Sequence, residues 1–187
     1  METIGVLALQ GSFAEHMQAL RKIAGINPIL VKTADELARV DRLIIPGGES
    51  TTIGKLLNTT GLSINLCKRI LSGMPVWGTC AGLILLAKKI DDEQPHLAVM
   101  DICVKRNAYG SQLASFECQK LIPEISNTPI NMVFIRAPQI ISVSGTTKIL
   151  AEYEGKIIAA QQNRMLATAF HPELTADLSV HNYFLRL

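Results

Sequence analysis

The sequence predicts an α/β protein: a flavodoxin-like, three-layer, doubly wound and mostly parallel sheet with an added antiparallel section. Three observations lead there. The first half alternates short apolar runs with amphipathic ones, the rhythm of β-α-β-α units whose helices cover both faces of a parallel sheet. The second half changes to closely spaced strand-like runs. Glycine-framed polar motifs follow individual strands, and open α/β sheets bind ligands at the carboxyl ends of their strands.

Taken in order, residues 3–9 form a short buried strand, followed by Gly11 and an amphipathic helix over 13–23. A second strand covers 28–31, a short helix 35–40 and a third strand 42–45. Helical stretches at 51–57 and 62–71 lead to a strand at 75–77 and a helix over 81–88. Strands are then expected at 102–106, 113–121, 131–135, 140–143, 148–153, 156–160 and 166–170. Glu154-Gly155 reads as a hairpin turn, with Gly155 able to take positive φ. A closing helix is expected over 176–185.

The 187 residues suit a single domain spanning 1–187, with 48% hydrophobic and 18% charged residues. A net charge of +2, spread along the chain, gives no electrostatic footprint for nucleic acid or an anionic membrane, and 5% aromatic content argues against base stacking. No apolar run approaches the roughly 20 residues that cross a bilayer. The first residues read as a strand rather than a leader peptide. Cys67, Cys80, Cys103 and Cys118 form no C-x-x-C pair and have no histidine at metal-site spacing. A soluble protein of a reducing compartment, the cytoplasm, holding neither metal nor cofactor, is expected.

The chemistry concentrates at Gly78-Thr79-Cys80-Ala81-Gly82, between a strand and a helix. This is a nucleophile elbow in its cysteine form. The sharp turn leaves no room for bulky neighbours, hence the glycines. It also places Cys80 at a helix N-terminus, where the dipole and N–H groups favour a thiolate. The Ala81 N–H then points where an oxyanion would form. The other three cysteines read as small buried residues.

A cysteine nucleophile needs a base. His171 follows the 166–170 strand and opens His171-Pro172-Glu173. Pro172 stiffens the turn, and Glu173 can reach back to fix the imidazole tautomer, the role of a triad's third member. His16, His96 and His181 read as structural or solvated, with His181 at a core edge.

The third strand runs into Pro46-Gly47-Gly48-Glu49-Ser50-Thr51-Thr52. Ser50 or Thr51 can cap the following helix. A phosphate cradle is one reading, but Leu56 after Gly54-Lys55 and the glycine spacing do not make a Walker A loop. The reading favoured by the elbow is an oxyanion hole, with the Gly48 N–H opposite that of Ala81.

These three motifs, in this order and spacing, resemble the class I (triad) glutamine amidotransferases, and within them the glutaminase subunits of pyridoxal 5′-phosphate synthase. Gly5-Val6-Leu7-Ala8-Leu9-Gln10-Gly11, Arg106-Asn107-x-Tyr109-Gly110-x-Gln112, Ser115-Phe116-Glu117 and Phe134-Ile135-Arg136-Ala137-Pro138 extend the likeness over essentially the whole chain. The resemblance implies hydrolysis of L-glutamine to glutamate and ammonia. It implies substrate contacts from Gly48, Glu49, Ser50, Arg106, Ile135 and Arg136, and a synthase subunit as partner, with weak activity alone and activation on docking. Gln10 is a candidate for coupling to that partner. Other readings of the same residues are a glutaminase of another pathway, a cysteine hydrolase or peptidase, and a redox sensor.

Overall fold

The computed structural model describes residues 1–106 and 115–187. Asn107, Tyr109, Gly110 and Gln112 of the motif that Arg106 opens, and the start of the strand expected over 113–121, lie outside the described residues. The predicted alternation is present as β1 (Glu2–Leu7), α1 (Phe13–Leu20), β2 (Ile26–Val31), α2 (Ala34–Ala38), β3 (Arg42–Ile45), α3 (Ser50–Thr59), α4 (Leu62–Leu71), β4 (Val76–Thr79) and α5 (Ala81–Leu86). Ile4, Val6, Leu43, Ile44, Ile45, Val76 and Trp77 are inaccessible to solvent. Such uninterrupted apolar strands require helices on both faces, which is why this part of the sheet is parallel.

β12 (Met165–Thr168) lies parallel to β4, giving five parallel strands in the order β2-β1-β3-β4-β12. This is the flavodoxin-like order, with its switch point between β1 and β3. The chain segments leaving β1 and β3 therefore diverge and open a crevice at their carboxyl ends.

The second half supplies β5 (Ala87–Ile90), β6 (Met100–Lys105), β7 (Ser115–Lys120), β8 (Ile130–Ile135), β9 (Gln139–Val143), β10 (Lys148–Tyr153) and β11 (Lys156–Gln162). β11 pairs antiparallel with β12 and carries the sheet through β9 and β6 to β5, while β10 pairs β11. The hairpin at Glu154-Gly155 has positive φ at both residues, +48° and +72°, as two-residue turns that match strand twist demand. β7 and β8 form a separate antiparallel ribbon. Phe116 and Phe134 stack within it at 4.5 Å, and Phe134 meets Phe170 at 5.8 Å, anchoring the ribbon where the chain leaves β12.

Several boundaries differ from expectation. The helix expected over 81–88 ends at Leu86, because Ala87 turns extended and Ala87–Ile90 pairs with β6 instead. The strand expected over 166–170 ends at Thr168, so two residues, Ala169 and Phe170, separate it from His171. The closing helix is only α6 (Ser179–Phe184), preceded by a short 3₁₀ turn at Pro172–Leu174. Between them Thr175 Oγ1 accepts from the Asp177 N–H and Asp177 accepts from the Ser179 N–H, local bonds that compete with helix formation.

The elbow glycines are required by backbone contact. A Cβ on Gly82 would lie 2.0 Å from the Ile45 carbonyl oxygen, and one on Gly78 would lie 2.4 Å from the Gly82 carbonyl carbon. These close approaches seat α5 directly against β3 and β4. Gly82→Ala is expected to lower stability by about 1–3 kcal/mol, the usual cost of forcing extra atoms into a packed interior. Urea unfolding monitored by Trp77 fluorescence measures this; an unchanged midpoint would contradict the packing described.

Candidate active site

A cleft of about 480 Å³ opens at the carboxyl ends of the parallel strands. Of the site residues proposed from the sequence, Gln10, Gly48, Glu49, Ser50, Cys80, Ala81, Arg106, Ile135, Arg136 and His171 line it, with Gly11, Ser12, Gly47, Ile84 and Leu174 between them, while Glu173 lies buried outside the lining. A more open depression of about 780 Å³ lies at the opposite ends, beside Glu2, Asp41, Pro75 and Arg164. Those are the amino ends of the strands, where α/β sheets do not place their chemistry.

Cys80 occupies the turn between β4 and α5 with φ +48° and ψ −102°. A non-glycine residue held there stores about 1–3 kcal/mol of strain. The conformation is pinned by the Cys80 N–H, which donates to the Thr168 carbonyl at 2.8 Å, and by the start of α5. Sγ faces the Ile135 carbonyl oxygen at 4.0 Å. Ile135 reaches this position because β8 packs against the exit of β12, where the His171 N–H donates to the Val133 carbonyl at 2.8 Å. Arg136, the next residue, has φ +42°, a second strained position at the rim.

His171 and Glu173 are joined at 2.7 Å between Nδ1 and Oε1. Both are buried, and the 3₁₀ turn started by Pro172 supplies the curl that brings them together. Burial is the largest influence on His171 and opposes its protonation. Hydrogen bonding and charge from Cys80 and Glu173 outweigh it and raise its pKa to about 10. Glu173 shows the converse: burial pushes it up, but attraction to His16 and hydrogen bonds with His171 and Ser12 hold it at about 2. The pair is therefore poised as imidazolium and carboxylate, with the opposite imidazole edge turned to Cys80.

The loop after β3 is fixed from two sides. The Ser12 N–H donates to the Gly47 carbonyl at 3.0 Å, and Gln10 Oε1 accepts from the Glu49 N–H at 2.8 Å. A Cβ on Gly47 would lie 2.3 Å from His171 Cε1, and one on Gly48 would lie 2.5 Å from Gln10 Oε1. The cap of α3 is Glu49, whose carboxylate accepts from the Thr51 N–H, and not Ser50 or Thr51 as expected. Ser50 is the first helical residue and is buried, its hydroxyl without a partner among the described residues. Gly54 admits the His96 ring, which a Cβ would meet at 2.2 Å.

Arg106 stands at the rim with its guanidinium on Glu49 at 2.7 Å, Glu93 at 2.9 Å and Thr51 Oγ1 at 3.0 Å. The sequence did not single out Glu93. It also passed over Ser12, whose hydroxyl donates to Glu173 Oε1 at 2.7 Å. His16 and His181 are fully buried, neither solvated nor at a core edge, and His16 faces Glu173. Ser12 and His16 are one helical turn apart and so share the face of α1 that looks at Glu173; that spacing was the available signal. Among the described residues no three His, Cys, Asp or Glu side chains converge to hold a metal ion, and no helix is long and apolar enough to cross a membrane.

Comparison with known proteins finds close relatives of the whole chain. Residues 6–187 match the model of the SNO glutamine amidotransferase family. The pyridoxal 5′-phosphate synthase subunit PdxT of Caldanaerobacter subterraneus subsp. tengcongensis is 57% identical over 185 residues, 98% of each chain. The protein of the same name from Carboxydothermus hydrogenoformans is 51% identical over 97% of this chain and 95% of its own. A crystal structure of a glutamine amidotransferase superposes with a TM-score of 0.92 at 42% identity, covering 98% of this chain and 97% of that one. PurLQS from Thermotoga maritima, at 15% identity and a TM-score of 0.70, shares the fold.

The two shifted pKa values set opposite limits on stability. Glu173 is depressed from 4.5 to about 2, so its contribution is complete above pH 4.5 and fades as pH falls towards 2. His171 is raised from 6.5 to about 10, so its contribution is complete below pH 6.5 and is lost as pH rises through 10. Urea unfolding of wild type and Glu173→Gln across pH 3–10 should show the largest difference between roughly pH 4.5 and 6.5, narrowing on both sides. A difference independent of pH would contradict the pairing.

Proposed function

The chain belongs to the SNO glutamine amidotransferase family, and we infer that it is the glutaminase subunit of a pyridoxal 5′-phosphate synthase, releasing ammonia from L-glutamine for vitamin B6 biosynthesis. The observation that carries the chemistry is the convergence of Cys80 and His171 in one cleft at the switch point of the sheet, with Glu173 buried behind the imidazole and bonded to it.

In this reading the Cys80 thiolate attacks the side-chain amide carbon of glutamine. Electrons move onto the carbonyl oxygen, and the N–H groups of Gly48 and Ala81 hold the oxyanion. The Ala81 N–H is well suited, since the first turn of a helix leaves its N–H groups without intrahelical partners. As the oxyanion collapses the C–N bond breaks, and His171 gives its proton to the departing nitrogen, which leaves as ammonia. Water then attacks the γ-glutamyl thioester with His171 as base, the C–S bond breaks, and glutamate and thiolate are restored. Glu173 keeps the imidazole in one tautomer and balances imidazolium charge throughout.

Glutamine's α-carboxylate and α-ammonium need partners of opposite charge. Arg106 and Arg136 suit the carboxylate, and Glu49 with the Ile135 carbonyl suits the ammonium. Gly48 and Ser50 complete the wall. Since Arg106 is held by Glu49, Thr51 and Glu93, substrate enters by exchange: its carboxylate takes the guanidinium and its ammonium takes Glu49.

Released ammonia would be protonated in bulk water and lost as a nucleophile, so delivery to a docked synthase subunit in the cytoplasm is part of the proposal. Gln10 bridges the end of β1 to the Glu49 N–H. A partner that shifts the β1 end would thereby move the oxyanion loop, which gives activation on docking a physical route.

Glutamate release from glutamine, measured alone and with a synthase subunit, tests the reading: turnover should require Cys80, vanish in Cys80→Ala and rise on mixing. No glutamate in either sample would favour a cysteine hydrolase or sensor; release indifferent to the partner would retain the glutaminase and remove the pathway. Arg106→Ala should raise KM for glutamine about 10- to 100-fold, the worth of a charged hydrogen bond, with a smaller change in kcat. An unaltered KM would place the substrate carboxylate elsewhere.

A further inference from the structure

Behind the triad, away from the cleft, lies a row of buried polar groups that the reaction as written does not use. Glu173 Oε1 is doubly satisfied, by His171 and by Ser12. Oε2 has no hydrogen bond of ordinary length among the described residues and faces His16 Nε2 at 3.5 Å, with both side chains inaccessible to solvent. His16 Nε2 is also 3.2 Å from Thr79 Oγ1, and His16 Nδ1 is 3.2 Å from His181 Nε2. Trp77 packs edge-on against both imidazoles, with ring centroids 5.4 Å from His16 and 4.9 Å from His181, and both histidines are inaccessible to solvent.

We propose that His16 is a positioning residue for the reaction: as a neutral imidazole it donates its Nε2–H towards Glu173 Oε2, and His181 fixes it in that tautomer.

The proton inventory favours one arrangement. Were His16 protonated on Nδ1, the Thr79 hydroxyl could donate to its bare Nε2, but Glu173 Oε2 would face that lone pair and have no donor among the described residues. With the proton on Nε2, His16 Nδ1 becomes an acceptor, and the group opposite it must be the His181 Nε2–H. His181 Nδ1 is then a bare acceptor, and it has no partner among the described residues. Leaving an acceptor unpaired is the more tolerated of the two alternatives. Burial pushes both histidines below their usual pKa, His181 to about 3. The row therefore has one direction, from His181 through His16 to Glu173.

The consequence for catalysis is rotational. A carboxylate held at Oε1 alone can swing about its bond to the chain. A donor on Oε2 stops that swing and keeps Oε1 on His171 Nδ1, with the other imidazole nitrogen left for Cys80. His16 does not line the cleft, so its effect falls on turnover and not on substrate binding.

The inference rests on the glutaminase reading, and the test separates the two. In His16→Leu, kcat for glutamine should fall about 10- to 100-fold, the usual cost of losing an outer partner of a catalytic group, with KM within about twofold. His16→Gln, whose amide N–H has the reach of Nε2, should recover most of the loss. A kcat that survives His16→Leu, or a loss that Gln does not relieve, overturns the proposal. Side-chain ¹⁵N NMR of wild type at neutral pH decides independently if the Leu variant does not fold. Neutral Nε2–H tautomers for both His16 and His181 support the proposal, and an Nδ1–H or charged His16 overturns it. Absence of wild-type glutamate release would sink the glutaminase reading alone, because the tautomers remain readable.

Discussion

A buried carboxylate sets the terms for everything around it. Glu173 is almost without solvent contact, and a charge in that position persists only where donors surround it. Its Oε1 receives His171 and Ser12, each at 2.7 Å. These partners come from the turn after β12 and the start of α1, so the carboxylate ties together segments 161 residues apart in sequence. Removing one partner from such a buried set typically costs about 3–5 kcal/mol. The site and the stability of this end of the molecule are thus one interaction seen from two sides.

The same convergence explains the glycines. A Cβ on Gly11, where φ is +108°, would lie 1.9 Å from the Gly47 carbonyl oxygen, and Gly47 in turn faces the His171 ring. With side chains at these positions the segments leaving β1, β3 and β12 could not come close enough to share a carboxylate and an imidazole. The strained turn at Cys80 belongs to the same construction, since its N–H is held by Thr168 at the end of β12. Strain at the nucleophile is sustained by a sheet register that the rest of the core fixes.

Much of this was legible in the sequence, for identifiable reasons. Continuous apolar runs fix buried parallel strands well and amphipathic periods fix helices, and the strand 42–45 and the helix 62–71 have the boundaries the sequence indicates. The elbow was legible because its two glycines, a cysteine and the change of period coincide within five residues. Less was legible where tertiary pairing decides: Ala87–Ile90 continues an apolar helix by local preference, and only β6 makes it a strand. Single polar residues were the hardest. Ser12, His16, Glu93 and His181 carry no local signature, and their roles arise from contacts with segments distant in the chain, apart from the one-turn spacing of Ser12 and His16. The family resemblance had placed Arg106 on substrate; its ion pairs with Glu49 and Glu93 were beyond reach of any local rule.

The central claim is that Cys80, alone among the four cysteines, is the nucleophile that glutamine meets in this cleft. Incubation with a glutamine analogue carrying an electrophilic carbon in place of the amide, followed by peptide mass spectrometry, tests it most directly. The account predicts one adduct, on the peptide containing Cys80, formed more slowly when excess glutamine competes and when Glu173 is replaced by Gln. Adducts spread over Cys67, Cys103 and Cys118, or a Cys80 adduct that glutamine does not suppress, would contradict it.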